Sequence, residues 1–381
     1  MKQILFVNTQ APLDPAAGGI ASYIRHRAWV LSESMVVWWS DGRSASRFDR
    51  GKGAWEEPFP IQCRNSAVFS RAGNWWLPRS PLWAFLIRQG IESVEFPDGV
   101  TAQWPAEKPF HIFIMCHTTQ DVRRFLSRYP VQFRHWVKQG LIKRCIQTAD
   151  RVAACSHEIM WMTSGFYHIH PDRFSVLPHF FCREAEDFSL PNLVREPLFL
   201  YVGNIEYFKG FDLVVEGYRR YRRRGGGAVL AVAGSDGWKD NDNQTRLMLK
   251  SEPVRRLVQE EGEKSLVFLG RLTKQQVAER RSRCLACIVG SRFEAFTMVA
   301  GEAFLSETPL ILSTRTGWRA LAAHYRAARL NDPYDADDMA QAFFEMENPA
   351  LRESLVAGGR DLASFLTGEK LSNATKDWYN S

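Results

Sequence analysis

The sequence predicts an α/β protein built of two doubly wound, Rossmann-like domains facing each other. Three observations carry this. Short apolar runs alternate with longer amphipathic segments, the βαβα signature of parallel sheets with covering helices. That alternation stops at a polar stretch and then restarts. The chain has 381 residues, a length suited to two or three domains.

The first series reads as strands at 4–7, 35–39, 112–116, 151–155 and 174–177. Helices are expected at 20–32, 119–129 and 131–149. Residues 41–105 are rich in Arg, Ser, Gly, Pro and Trp and are expected to form loops and short helices. Residues 183–197 read as a polar linker. The second series has strands at 198–202, 228–233, 266–269, 286–290 and 310–313. Its helices are expected at 210–224, 254–261, 274–283 and 299–306, and the tail from 336 is helical and polar. The domains are therefore set at 1–185 and 198–360, joined by a linker at 186–197. A C-terminal helix at 361–381 is expected to cross back to the first domain.

Composition bounds the rest. Hydrophobic residues make up 45% and charged residues 24%, enough for an ordinary core. The 13 Trp and 25 Phe are mostly core packing, with platforms for a ring, a sugar face or a lipid surface as the functional reading. A net charge of +7 favours anionic partners without choosing among them. Seven scattered Cys suit a reduced compartment. Cys284 and Cys287 form a lone Cys-x-x-Cys at a helix-to-strand transition, read as core thiols rather than zinc ligands. The start, Met1-Lys2-Gln3-Ile4-Leu5-Phe6-Val7, reads as a first strand rather than a signal peptide, and no run reaches a membrane span of ~20 apolar residues.

Parallel sheets bind ligands at the carboxyl ends of their strands, where helix N-termini offer free N–H groups. Three constellations lie there. Gly18-Gly19 opens the helix after the first strand, where the lack of Cβ allows close backbone approach to a ligand. Gly203-Asn204 follows a strand, and Lys209-Gly210 precedes a helix, so Lys209 can meet a pyrophosphate as a point charge. Glu294 stands in a loop with Glu302 about one turn into the next helix, and each carboxylate can accept two hydrogen bonds from vicinal hydroxyls. The N–H groups between the two Glu, at a helix start, suit a phosphate.

Together these resemble the retaining glycosyltransferase family 4 of the GT-B fold, the group 1 glycosyl transferases. The resemblance runs along nearly the whole chain and includes His117 after Ile114-Met115-Cys116, Ala149 to Ser156, Val232 to Ser235, Val267 to Gly270, and the Glu-x7-Glu pair Glu294 and Glu302. It implies a retaining, metal-independent hexosyltransferase acting in surface polysaccharide, lipopolysaccharide or glycolipid synthesis. The donor would be a UDP- or GDP-linked sugar, with no other cofactor. Glu294 would hold sugar hydroxyls and Glu302 the ribose diol. Backbone N–H groups of Phe296, Thr297, Met298 and Val299 would meet sugar and diphosphate, and Lys209 would neutralise the leaving group. Arg271 and Leu272 would face the base, Gly18 and Gly19 the diphosphate, and His117 the anomeric carbon. Two departures stand out: Asn204 replaces a common Arg, so that either Arg271, Arg292 or Arg315 compensates, or donor binding is weaker, or the activity has drifted, and Thr297 replaces a common Gly.

Arg123, Arg124, Arg128, Arg134, Lys138, Lys143 and Arg144, with Trp136 among them, form a stretch free of acidic residues. It reads either as an exposed amphipathic helix pair or as a dock for anionic lipid. The expected location is cytoplasmic, at the inner membrane face if the acceptor is lipid-linked. The Arg-rich run at 218–224 ends in Gly and reads as a helix C-terminus, not a nucleic-acid patch. Two other readings compete: a non-catalytic binding or scaffold protein on a degenerate fold, and a sugar-nucleotide epimerase or phosphorylase.

Overall fold

The computed structural model describes residues 2–8, 12, 19–61, 77–117, 133–182, 194–234, 251–262 and 266–380. They form two compact units, Met1–Glu186 with Thr367–Ser381, and Asp187–Leu366. The basic residues Arg123, Arg124 and Arg128, the helix expected at 119–129, and most of the expected linker lie outside the described residues.

In the first unit, β1 (Lys2–Val7) pairs in parallel with β2 (Met35–Ser40), and α1 (Gly19–Leu31) connects them. The sheet continues through β6 (Ser93–Pro97), β7 (His111–Cys116), β8 (Arg151–Ala154) and β9 (Ser175–Val176), all parallel. Between β7 and β8 runs α3 (Phe133–Thr148), and α4 (His157–Tyr167) follows β8. The far edge turns antiparallel with β3 (Ser44–Asp49), β4 (Ala54–Trp55) and β5 (Phe59–Pro60).

Residues 41–105 are the main correction. Among their described residues they hold one short α-helix, α2 (Pro81–Gln89), but also four strands, and β6 lies centrally between β1 and β7. The sequence of β6, Ser-Val-Glu-Phe-Pro, hides a central strand because a Glu sits in its middle and a Pro ends it. Glu95 is nevertheless buried. It accepts hydrogen bonds from the hydroxyls of Tyr23, at 3.1 and 3.2 Å, and of Tyr379.

The second unit is a six-stranded parallel sheet. Its strands are β10 (Leu198–Val202), β11 (Val229–Ala233), β12 (Leu266–Gly270), β13 (Ala286–Val289), β14 (Leu310–Ser313) and β15 (Arg329–Asn331). The first five match the expected strands; β15, short and polar, was not legible. The helices are α5 (Phe211–Arg223), α6 (Glu252–Glu261), α7 (Lys274–Arg283), α8 (Met298–Leu305), α9 (Arg319–Tyr325), α10 (Ala336–Glu345) and α11 (Pro349–Thr367). Phe199, Tyr201, Phe211, Val214, Tyr218 and Met339 form the heart of the core between β10, α5 and α10.

The chain ends in α12 (Glu369–Asn380), which packs in the first unit. Buried Arg27 donates to Thr375 Oγ1 at 2.6 Å, Arg151 to the carbonyl of Trp378 at 3.1 Å, and Tyr379 to Glu95. No described helix is long and apolar enough to cross a membrane.

Glu95 gives this clasp a pH dependence. Burial raises its carboxyl to about 7, although Tyr379, Arg27 and Tyr23 pull it down. The folded protein therefore binds this proton more tightly than the unfolded chain. Its contribution is full below the ordinary value of 4.5 and is lost as pH rises through about 7. Glu95→Gln should gain stability over the native protein between about pH 5 and about pH 8, by up to ~3 kcal/mol. Melting temperatures of both proteins across that range test it. A difference independent of pH refutes it.

Candidate active site

Numbered from β10, the second sheet runs third, second, first, fourth, fifth, sixth. The order of build-up therefore reverses between β10 and β13, and a crevice opens there at the carboxyl ends of the strands. Two loops meet at that point. One leaves β10 at Gly203 and runs to Gly210; the other leaves β13 at Gly290. Gly210 has φ +68°, and a Cβ on it would lie 2.1 Å from the Gly290 carbonyl oxygen. Only glycine allows both this backbone and this approach.

The contact is fastened by Arg292. Its backbone N–H donates to the carbonyl of Phe208 at 2.8 Å. Its guanidinium donates to the carbonyl of Tyr207 and grips both oxygens of Asp212, all at 2.7 Å. It also lies over the Tyr207 ring at 4.0 Å. Burial lowers the Arg292 pKa, but Asp212 outweighs it and the net shift is upward. Arg292 is thus committed to Asp212 and is not a free substitute for the Arg that Asn204 replaces. Arg315 lies 5.9 Å from the Tyr334 ring, and Arg271 is exposed just past the left-handed Gly270.

With the two loops joined, Lys209 reaches Glu294, and its ammonium donates to Glu294 Oε2. Both side chains are largely buried. The Glu294 backbone is held in turn: its N–H donates to the Arg315 carbonyl at 3.1 Å, and its carbonyl accepts from Gly317 at 3.0 Å. Asn204, by contrast, is exposed, and its Nδ2 donates to Glu206 at 3.2 Å.

Thr297 is the N-cap residue of α8, in extended geometry, and its side chain makes no capping bond. Its carbonyl accepts from Trp318 Nε1 at 2.9 Å, and the Trp318 ring stacks on Phe296 at 3.8 Å. This fixes the turn that aims the N–H groups of Met298 and Val299 off the helix end. One turn on, Glu302 Oε2 accepts from the buried Arg281 at 2.6 Å, while its Oε1 makes no hydrogen bond among the described residues. Burial lowers the Arg281 pKa, and Glu302 with nearby Cys287 reverses that to a net rise.

The structure thus brings Lys209, Glu294, Phe296, Thr297, Met298, Val299 and Glu302 onto the ends of β10 and β13 and the start of α8. Arg271 and half-buried Leu272 stand at the end of β12. Gly19, the exposed first residue of α1, and half-buried His117, just past β7, belong to the first unit. Gly18 lies outside the described residues. Asp212, Arg281 and Trp318 were missed. They carry no motif, and their roles appear only through partners distant in sequence.

Residues 183–361 match the family model for Glycosyl transferases group 1. The matched segment holds the candidate site. Mannosylfructose-phosphate synthase of Agrobacterium fabrum is 27% identical over 140 residues, which is 37% of this chain and 30% of that enzyme. The chain spans less than half the length of the curated relatives it matches. Among solved structures, sucrose-phosphate synthase from Thermosynechococcus elongatus superposes with a TM-score of 0.68 at 18% identity, over 100% of this chain and 98% of that one. Anabaena HepE, solved with UDP and glucose, gives 0.62 at 13% identity over 100% of both. These likenesses show the GT-B fold.

If Arg292 is the fastener, Arg292→Ala leaves Asp212 a buried, uncompensated carboxylate. It should cost about 3 kcal/mol, seen as a lower melting temperature. Arg315→Ala should change it by less than about 0.5 kcal/mol. Equal effects of the two would remove Arg292 from this role.

Proposed function

We propose that this protein is a retaining, metal-independent glycosyltransferase that moves a hexose-type sugar from a UDP- or GDP-linked donor. The observation that carries the reading is the Lys209–Glu294 pair beside the start of α8, at the switch point of a parallel sheet. Each member of that pair has a separate task once a donor arrives. Glu294 takes hydroxyls of the sugar, and Lys209 takes the charge that grows on the departing diphosphate. The N–H groups of Phe296 to Val299 add the positive end of α8 at the same place. Glu302 offers Oε1 to the ribose diol while Arg281 holds its other oxygen. Backbone around Arg271 and Leu272 meets the base.

The chemistry needs no covalent intermediate on the protein. The nucleotide leaves and the acceptor enters on one face of the sugar, so position and electrostatics carry the rate. Lys209 and the helix end supply positive charge of the kind that a metal supplies in other transferases.

The acceptor is proposed to be a glycan or lipid-linked glycan of surface polysaccharide, lipopolysaccharide or glycolipid synthesis, met at an anionic membrane face. On α3, Ile142, Cys145 and Ile146 are buried, whereas Trp136 is 67% exposed and Arg144, two turns on, is exposed on the same face. An aromatic ring beside a cation suits the headgroup region. The protein should sediment with phosphatidylserine vesicles at low salt and be released by high salt, with Trp136→Ala weakening the association. No sedimentation of the native protein would remove the membrane from this reading.

A panel of UDP-, GDP-, ADP- and TDP-sugars in the presence of EDTA tests the donor. One nucleotide class at 100 times its dissociation constant should add ~2.7 kcal/mol of stability. Glu302→Ala should weaken that nucleotide at least about tenfold, or ~1.4 kcal/mol. Lys209→Ala should lower kcat by about 100-fold or more with a smaller effect on binding. A melting temperature unmoved by every donor, or unchanged kinetics in both variants, would refute the assignment.

A further inference from the structure

A second cluster of chemistry-bearing side chains lies in the first unit. His117 follows the last residue of β7, Cys155 follows the last residue of β8, and His179 stands just beyond β9. Three neighbouring parallel strands thus deliver two imidazoles and a thiol to one sheet end, the end where this architecture binds ligands. Their ligating atoms all lie within 4.8 Å of one another. Cys155 and His179 are buried and His117 is half-buried, so the cluster has a closed floor and one side toward solvent. The two imidazole rings are 5.1 Å apart, and each lies 4.8 Å from the ring of Tyr23. Tyr23 is itself held by Glu95, so one wall of the cluster is fixed.

We infer that His117, Cys155 and His179 form a binding site for one thiophilic divalent ion, zinc, with water in the fourth position. Zinc bonds to nitrogen at about 2.0–2.1 Å and to sulfur at about 2.3 Å, so tetrahedral ligands sit roughly 3.5 Å apart. Closing the cluster to that spacing needs side-chain shifts of about 1 Å. Two imidazoles and a thiolate select zinc, cobalt or copper over magnesium and calcium, which take oxygen ligands. On binding, Cys155 loses its thiol proton to solvent and forms the sulfur–metal bond, and no electron is transferred. The consequence rests on the position beside the anomeric carbon that the family resemblance implies for His117: an imidazole bound to zinc is withdrawn from transfer, so the ion inhibits.

The test uses the full chain, reduced, stripped with EDTA and titrated with cobalt(II) as a spectroscopic stand-in. One equivalent should bind, with a thiolate-to-cobalt charge-transfer band and the intense visible bands of four-coordinate cobalt. Zinc should displace it. Cys155→Ser should abolish the charge-transfer band, and His117→Ala, at a half-buried position, should weaken binding by more than about 100-fold. Cys284→Ser with Cys287→Ser should leave the spectrum intact. Melting temperatures check that each variant is folded. A native protein without the band, or a band that survives Cys155→Ser and disappears with the Cys284 and Cys287 changes, overturns the site. These readouts need no activity, so the metal site and the transferase reading fail separately. Zinc inhibition reversed by EDTA in the native protein and absent in Cys155→Ser would support the link between them. Inhibition equal in both would overturn the link.

Discussion

The candidate site depends on one close approach, the backbone of Gly210 against the carbonyl of Gly290. A reversal of strand order places the ends of β10 and β13 side by side, and the absence of a side chain on Gly210 lets their loops touch, while its absence on Gly290 makes room for Val214. The rest follows from chain distance. Lys209 precedes Gly210, and Glu294 stands four residues past Gly290, so the contact that joins the backbones also joins the charges. Arg292 stiffens the junction through both oxygens of Asp212, on the first turn of α5. Beneath it, Phe211 and Val214 bury the same turn in the core.

Much of this was legible in the sequence because the signals are local. The strands at 198–202 and 310–313 and the helix at 274–283 have the bounds the periodicity gives. The helix at 274–283 opens with a full capping box between Thr273 and Gln276. The Arg-rich run at 218–224 is a paired helix end: Arg219 binds Glu216 and Glu260, Arg220 binds Asp337, and Arg222 binds Glu261. Composition alone could not show that much of the basic excess in this unit is already matched to carboxylates.

What escaped the sequence is polar and long-range. Strand β6 was invisible because Glu95 in a central strand violates the pattern by which buried strands are known. The violation is tolerated because Tyr23 and Tyr379, from opposite ends of the chain, supply hydroxyl donors. Arg281 was invisible as a site residue for a related reason. One Arg among three in the last turn of a charged helix reads as a surface cation, and only the fold shows it buried against Glu302. In both places a buried carboxylate is kept by a partner that no local window contains.

The same logic explains why Lys209 and Glu294 face each other. Each is a charge taken largely out of water, and each would be costly alone. Paired, they neutralise one another and hold the two loops in register. On the proposed function, a nucleotide-sugar would offer each of them a new partner: a diphosphate for the cation and a pair of hydroxyls for the anion. Exchange of one internal ion pair for two ligand contacts would leave no buried charge unpartnered at either stage. Glu302 follows a different rule. Arg281 stays beside it, so its carboxylate is held ready with one oxygen committed and the other available. On the proposed function one acidic residue would be released by the ligand and the other is already held for it, a division set by which cation the fold places next to each.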